Sequence, residues 1–139
     1  MTREFLTDSD DATIALGRQL AAEVRAPLTI LLLGDMGAGK TTFAKGLISG
    51  LGAAREEEVT SPTFTLVHQY KNPPVFHVDL YRIEPGRDMD TLGLDDIWDS
   101  PAVVLIEWGE KLAEKINTPR WILKFDDLGG DRRRITIEE

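Results

Sequence analysis

The stretch Gly34-Asp-Met-Gly-Ala-Gly-Lys-Thr-Thr42 gathers glycines, a lysine and two adjacent hydroxyls with the spacing G-x-x-x-x-G-K-[ST], met by Gly34, Gly39, Lys40 and Thr41. That combination suits a polyphosphate. Glycines let the backbone curl until successive N–H groups face phosphate oxygens. A helix opening at the end of the loop adds the positive end of its dipole. In such a loop Lys40 bridges the β- and γ-phosphates, the Thr41 hydroxyl ligates Mg²⁺, and Thr42 lies near the α-phosphate. The whole stretch (Gly34, Asp35, Met36, Gly37, Ala38, Gly39, Lys40, Thr41 and Thr42) is therefore the candidate phosphate site. The plain alternative is a glycine turn joining a strand to a helix.

Phosphoryl transfer also needs a second side chain on the metal and a group to orient the attacking water. Two acids at the ends of apolar runs qualify: Asp79 in VFHVDLYR and Glu107 in AVVLIEW. The run ending in Glu107 is continuously apolar, which places it beside the loop strand in the middle of a sheet. Asp79 shares the face of an alternating strand with His77 and Tyr81, which places it nearer an edge or a hairpin. Glu107 is accordingly the metal-side acid. Asp79 is left to orient water, to organise the site, or to form a structural ion pair with Arg82. His68 and His77 have no metal-ligand companions and read as packed histidines, and Trp98, Trp108 and Trp121 read as packing residues.

The elements that must position these groups follow from periodicity. Thr7-Asp-Ser-Asp10 has the form of a helix start, and 11–24 carries apolar residues at helical spacing up to Pro27. Leu28–Leu33, bounded by Pro27 and Gly34, is a strand buried on both faces. Phe43, Leu47 and Leu51 predict the helix after the loop, with Gly52 as its stop. Residues 55–58, REEE, form a solvated loop. Thr63–Tyr70 and Val75–Tyr81 alternate across the turn Lys71-Asn-Pro-Pro74 and predict a hairpin. Residues 88–99 are acidic and weakly helical, 102–106 is another buried strand, and 110–116 a short helix. Strands at Trp121–Phe125 and Ile135–Ile137 flank the turn DDLGGD. Parallel-type apolar strands mixed with hairpin-type ones predict an α/β domain, a P-loop NTPase-like fold whose mixed, partly parallel sheet is flanked by helices, with residues 1–139 as a single domain.

Composition narrows the class of partner. With 24 acidic against 16 basic residues the formal net charge is −8, which opposes a phosphate-backbone footprint. Arg132, Arg133 and Arg134 are the only basic run, and charge is common on a hairpin edge. No cysteine is present, so disulfides and thiolate metal sites are excluded. The first residues, MTREFLTDSDD, have no apolar signal region and no segment reaches membrane-spanning length, so a cytoplasmic protein without membrane contact is expected.

Taken together, GDMGAGKTT, SPTFTLV, HVDLYR and LIEW, in that order, resemble the TsaE (YjeE) family of small bacterial P-loop ATPases required for threonylcarbamoyl modification of adenosine in tRNA (t6A, at position 37). The resemblance covers nearly the whole chain. It implies ATP and Mg²⁺ as cofactors, with Gly37 to Thr42 cradling the phosphates and Thr41 and Glu107 as metal ligands. It implies that Ser61, Pro62 and Thr63 belong to a switch-like loop near the γ-phosphate, and that Lys40, Asp79, Glu107 and Thr63 serve hydrolysis. It also brings the region from Asp10 to Thr13, and one arginine of the 132–134 run, towards the nucleotide base; Arg133 is favoured by its offset from the closing strand. The implied partner is the TsaB–TsaD pair, with tRNA engaged only through it. The implied ATPase is weak alone and partner-stimulated, with no threonylcarbamoyl transfer of its own.

Three other readings use the same loop. A small-molecule or nucleotide kinase has little chain left for an acceptor pocket. A GTPase switch has D-x-x-G at 90–93 and 127–130, but no N-K-x-D stretch to read guanine. A non-catalytic, nucleotide-gated binding module differs from the ATPase only in turnover.

Overall fold

The computed structural model describes residues 2–35, 37–62, 67–81, 96–97, 100–108 and 120–139. Met36, Thr63, Arg82, the helix expected over 110–116 and all but Asp96 and Ile97 of the one expected over 88–99 lie outside the described residues. Phe64 and Leu66 of the alternating run lie outside them too.

Among the described residues seven strands form one sheet in the order β1-β7-β6-β2-β5-β4-β3. They are β1 (Thr2–Thr7), β2 (Leu28–Gly34), β3 (Val67–Lys71), β4 (Pro74–Asp79), β5 (Val103–Glu107), β6 (Arg120–Gly129) and β7 (Arg132–Glu138). The centre is parallel: β2 lies between β5 and β6, and β4 runs parallel to β5. The borders are antiparallel, β3 on β4 at one side and β6–β7–β1 at the other. This is the expected mixed sheet, and the continuous apolar runs LTILLL and VVLIE do occupy its middle. Parallel strands with helices over them bury both faces, so such runs need no polar alternation.

Helices α1 (Asp10–Ala21) and α2 (Lys40–Gly50) cover one face. Their main core contains Leu16, Leu20, Phe43, Leu47 and Ile48, packed on Ile30, Leu32, Leu105 and Leu123 of the sheet. The opposite sheet face carries Leu31, Val78, Leu80, Val104 and Ile106. The helix after the loop stops where Gly52 was expected to stop it. The Gly52 N–H bonds to the Ser49 carbonyl at 3.0 Å and the Ala53 N–H to that of Ile48 at 3.2 Å, the two bonds of a Schellman end.

Four expectations need correction. The first helix is capped by Ser9, whose hydroxyl accepts from the Ala12 N–H at 3.0 Å, and not by Thr7. Thr7 ends β1 and its buried hydroxyl pairs with that of Thr13 at 2.8 Å, so it is not free to cap. β1 itself escaped the periodicity reading, because it is a charged border strand whose pairing with β7 is a long-range event. Arg3 then ties this border to the turn after the first helix and to Glu139, with Nη2 2.9 Å from Glu23 and 2.5 Å from Glu139. The closing strands run well past Phe125 and begin before Ile135. Their extra residues are mostly exposed, so the apolar signal ends before the backbone pairing does. Cross-strand pairs Asp126–Arg134 and Asp127–Arg133 hold that extension. Finally, β4 ends at Asp79, so Tyr81 lies beyond the strand; β4 pairs with β3 in the expected hairpin, but β3 and not β4 takes the edge. Residues 56–58 of the REEE loop form a single 3₁₀ turn tied to α1 through Arg18–Glu56.

The α1–α2 contact sets how the phosphate loop sits, since α2 grows directly from it. A Cβ built on Gly46 would stand 1.9 Å from the Ile14 carbonyl oxygen, and one on Gly17 2.5 Å from that of Phe43. Both obstacles are backbone. Gly46→Ala gains helix propensity of about 1 kcal/mol, but forcing the two helices apart costs about 1–3 kcal/mol or more. We expect thermal unfolding of Gly46→Ala to show a clear net loss of stability; a melting temperature equal to or above that of the parent would contradict the packing described.

Candidate functional site: a phosphate loop over paired carboxylates

The parallel strands all point their carboxyl ends at one rim of the sheet, the usual location of ligand crevices in α/β folds. The loop from Gly34 to Gly39 leaves β2 at that rim and enters α2. Gly39 is the N-cap of α2 with φ 101°, a conformation that side-chain-bearing residues rarely adopt. With no side chain at the cap, the first N–H groups of the helix stay open to an anion. Ala38 is buried beneath the loop, whereas Asp35 and Gly37 are exposed.

Register brings the two acids to the same rim. In the parallel pairing Leu32 of β2 stands opposite Glu107 of β5, and Glu107 opposite Asp79 of β4. Both are buried, at 3% and 2% exposure. The Thr41 hydroxyl, in the first turn of α2, lies 3.1 and 3.2 Å from the two oxygens of Glu107. Asp79 is turned differently: one oxygen accepts the Tyr81 N–H at 2.8 Å and the other meets the Ser61 hydroxyl at 3.4 Å. The structure thus joins Thr41 to Glu107, and Asp79 to Ser61. A hydroxyl beside a carboxylate is a hard oxygen donor set that fits Mg²⁺, which keeps several waters and borrows the rest of its shell from phosphate.

Lys40 is also nearly inaccessible, at 4% exposure. Its ammonium donates to the Gly34 carbonyl at 2.6 Å and sits 3.4 Å from the centroid of the Trp108 ring. Trp108 has φ 62°, the left-handed region that a bulky residue enters at a cost, and its ring leans on Tyr81 at 4.8 Å. Trp108 is therefore part of the site, over the lysine, and not only a packing residue. Its place immediately after Glu107 was the available signal.

Lys45, one turn further along α2, was missed by the sequence reading. Its ammonium donates to the Val59 carbonyl at 2.7 Å and fixes the chain just before Ser61 and Pro62. An isolated lysine in a helix carries no pattern that would announce this.

On the other side, the β6–β7 hairpin leans over the loop. Arg133 donates to the Gly37 carbonyl at 3.3 Å, and its side chain passes 3.7 Å from where a Gly39 Cβ would be. Asp127 holds the same guanidinium at 3.0 Å. Arg132 instead lines a neighbouring cleft of about 370 Å³ with Leu6, Thr7, Asp8, Ala12 and Leu128. Leu6 and Leu128 are both exposed there. Asp10 is exposed at the first turn of α1 and does not line this cleft.

The family model described as "Threonylcarbamoyl adenosine biosynthesis protein TsaE" matches residues 7–135. The chain belongs to the TsaE family. Among its relatives, the protein named tRNA threonylcarbamoyladenosine biosynthesis protein TsaE from Nostoc sp. is 40% identical, over 98% of this chain and 86% of its own length. The protein of that name from Bacillus subtilis is 37% identical over 96% and 84%, and that from Streptomyces coelicolor 42% over 88% and 86%. In three dimensions the crystal structure of Bacillus subtilis YdiB superposes with a TM-score of 0.77 at 31% identity, covering 99% of this chain and 84% of that one. The P-loop-like α/β fold read from the sequence is thereby established. Among the described residues of this TsaE-family chain no helix is long and apolar enough to cross a membrane.

Two outcomes follow from the geometry. Arg133→Ala removes the strut on the Gly37 carbonyl and should lower the melting temperature, with a loss of about 1 kcal/mol for a partly exposed bond; an unchanged melting temperature contradicts the strut. His68 gives the second. Burial, and then the neighbouring His77 ring, hold His68 below its ordinary value of 6.5, partly offset by a bond with the Thr60 backbone. The folded state therefore binds this proton less readily than the unfolded chain. Its contribution is complete above 6.5 and is lost as the pH falls below it. The melting temperature should decline on acidification from about pH 7 to about pH 5, and less steeply in His68→Gln. Parallel slopes for the two proteins would exclude His68 as a source.

Proposed function

We propose that this chain is an ATP-binding, Mg²⁺-dependent ATPase subunit that supports formation of t6A at position 37 of tRNA, acting with a TsaB–TsaD complex and meeting tRNA only through it. Membership of the TsaE family supports the role in t6A synthesis. The observation that carries the ATPase reading is the Thr41–Glu107 contact directly beneath a G-x-x-x-x-G-K-T loop. A phosphate loop alone is shared by many folds. A loop hydroxyl held against a buried carboxylate from the adjacent parallel strand is the arrangement a nucleotide-bound Mg²⁺ requires.

In this reading the loop N–H groups between Gly37 and Thr42 take the phosphates, Asp35 and Met36 belong to the same nucleotide-binding stretch, and Lys40 leaves the Gly34 carbonyl to bridge the β- and γ-phosphates. Thr41 and Glu107 hold Mg²⁺, which offsets phosphate charge during transfer. Asp79 is the remaining carboxylate of the rim, and its link to Ser61 suits it to orient water together with the loop that leads to Thr63. The cleft beside the hairpin, with Leu6 and Leu128 for an apolar ring face and Arg132 at its wall, is suited to the base. Arg133, and Asp10 in the first turn of α1, support this end of the site. The acidic net charge of −8 favours a protein partner over direct tRNA binding, and a cytoplasmic setting is part of the same proposal.

The reading is tested by ATP hydrolysis of the purified chain, alone and with a TsaB–TsaD pair, with Glu107→Ala alongside. Slow turnover alone, a rise of at least about tenfold with the pair, and loss of turnover in the variant are expected; removal of an electrostatic group at the transferring phosphate costs about 10²–10³ in rate. If the pair leaves turnover unchanged while ATP binds tightly, the chain is a nucleotide-gated module and not a coupled ATPase.

A further inference from the structure

Beneath the Thr41–Glu107 contact lies a group that the proposed chemistry leaves unused. His77 is fully buried, and its Nε2 stands 2.6 Å from Glu107 Oε2. In the β4–β5 register His77 faces Leu105 and not Glu107, so its ring leans along the strand to reach the acid two positions on. An ionised carboxylate only accepts, so Nε2 carries the proton in this pair. Nδ1, the other nitrogen, has no hydrogen-bond partner among the described residues. His68 meets the ring only edge-on, with centroids 6.4 Å apart.

A fully buried polar atom without a partner is uncommon and unfavourable. An apolar side chain of similar size would pack between β4 and β5 without that defect. The gain from an imidazole here is the bond to Glu107. That carboxylate is held at one oxygen by His77, while the Thr41 hydroxyl lies within 3.2 Å of both oxygens. With the ring gone, the carboxylate is free to rotate away from Thr41 or to seek another donor. Partners behind a metal-ligating carboxylate orient it and tune its affinity.

We infer that His77 is a positioning residue for the metal side of the site, fixing the Glu107 carboxylate against Thr41 so that a divalent cation finds its oxygens already aimed. The inference rests on the assignment of Thr41 and Glu107 as the metal pair. His77 touches neither nucleotide nor metal. It acts on metal affinity through Glu107 and leaves the phosphate loop alone.

The test uses the full chain with ADP and Mn²⁺ as the reporting cation. Mn²⁺ affinity of the ADP complex is measured by calorimetry, and ADP affinity is measured separately in chelator. His77→Leu keeps the bulk and removes the donor. It should weaken Mn²⁺ binding about 10- to 100-fold, with metal-free ADP affinity changed by less than about twofold. His77→Gln, whose amide nitrogen reaches the place of Nε2, should recover most of the loss. Unchanged Mn²⁺ affinity in His77→Leu overturns the inference, and so does an equal loss of metal-free ADP binding, which marks a general packing role. Should the leucine variant not fold, His77→Gln is compared with His77→Asn, whose shorter amide replaces Nδ1 and stops short of Glu107. The glutamine variant should then bind Mn²⁺ more tightly, and equal affinities overturn the inference. Glu107→Gln separates the two levels. If it leaves Mn²⁺ affinity intact, the metal assignment itself is wrong; if it abolishes binding while His77→Leu does not, only the role of His77 falls.

Discussion

A carboxylate at 3% exposure cannot stand without donors, and Glu107 is the group around which the rim of this sheet is arranged. It takes a hydroxyl from α2 and an imidazole from β4, so the three elements meet at one side chain. This ties the orientation of the phosphate loop to the sheet. Thr41 can reach Glu107 only because β5 is the parallel neighbour of β2 and ends level with it. The same register places Asp79 one strand further out, at equal depth. The two acids stand side by side at the carboxyl rim and are turned apart, one to α2 and the other to Ser61.

The phosphate loop is held from two directions, each by a cation, and a third cation fixes the chain beside it. Lys40 is folded back onto the Gly34 carbonyl and covered by Trp108. Arg133 reaches across from the hairpin to the Gly37 carbonyl. Lys45 anchors the chain before Ser61. Each of these groups donates to a backbone carbonyl, while within the loop the Ala38 N–H closes on the Asp35 carbonyl at 3.1 Å. The close α1–α2 packing at Gly17 and Gly46 fixes the base of this cradle, because α2 has no room to slide.

The cover over Lys40 links the loop to the surface. Trp108 adopts a left-handed backbone, and its ring rests on Tyr81, which is 48% exposed and only two residues past Asp79. A displacement of Lys40 would therefore be felt at exposed aromatic surface, through one residue whose backbone already sits in an unfavourable conformation.

What the sequence by itself determined was whatever depends on local spacing. The loop could be read from its glycines and Lys40, the buried central strands from unbroken apolar runs, and the end of α2 from Gly52. The match of SPTFTLV, HVDLYR and LIEW to a known family was equally legible. Even the preference for Glu107 as the acid beside the loop strand followed from the apolarity of its run, because only interior parallel strands are buried on both faces. The tertiary structure decided what distant chain segments settle between themselves. β1 exists because β7 offers it an edge, and Thr7 is withdrawn from capping because it meets Thr13. The role of Lys45 emerges only where α2 passes the Val59 carbonyl. Arg133 turns to the loop while Arg132 turns to the cleft, a difference of one residue set by the pleat of a hairpin whose outer half carries no apolar signal. The His77–Glu107 bond joins strands adjacent in space and remote in the chain. Hydrophobic periodicity records which way a side chain faces, but a hydrogen bond between two buried polar groups needs register and rotamer, and these are fixed only when the whole sheet has closed.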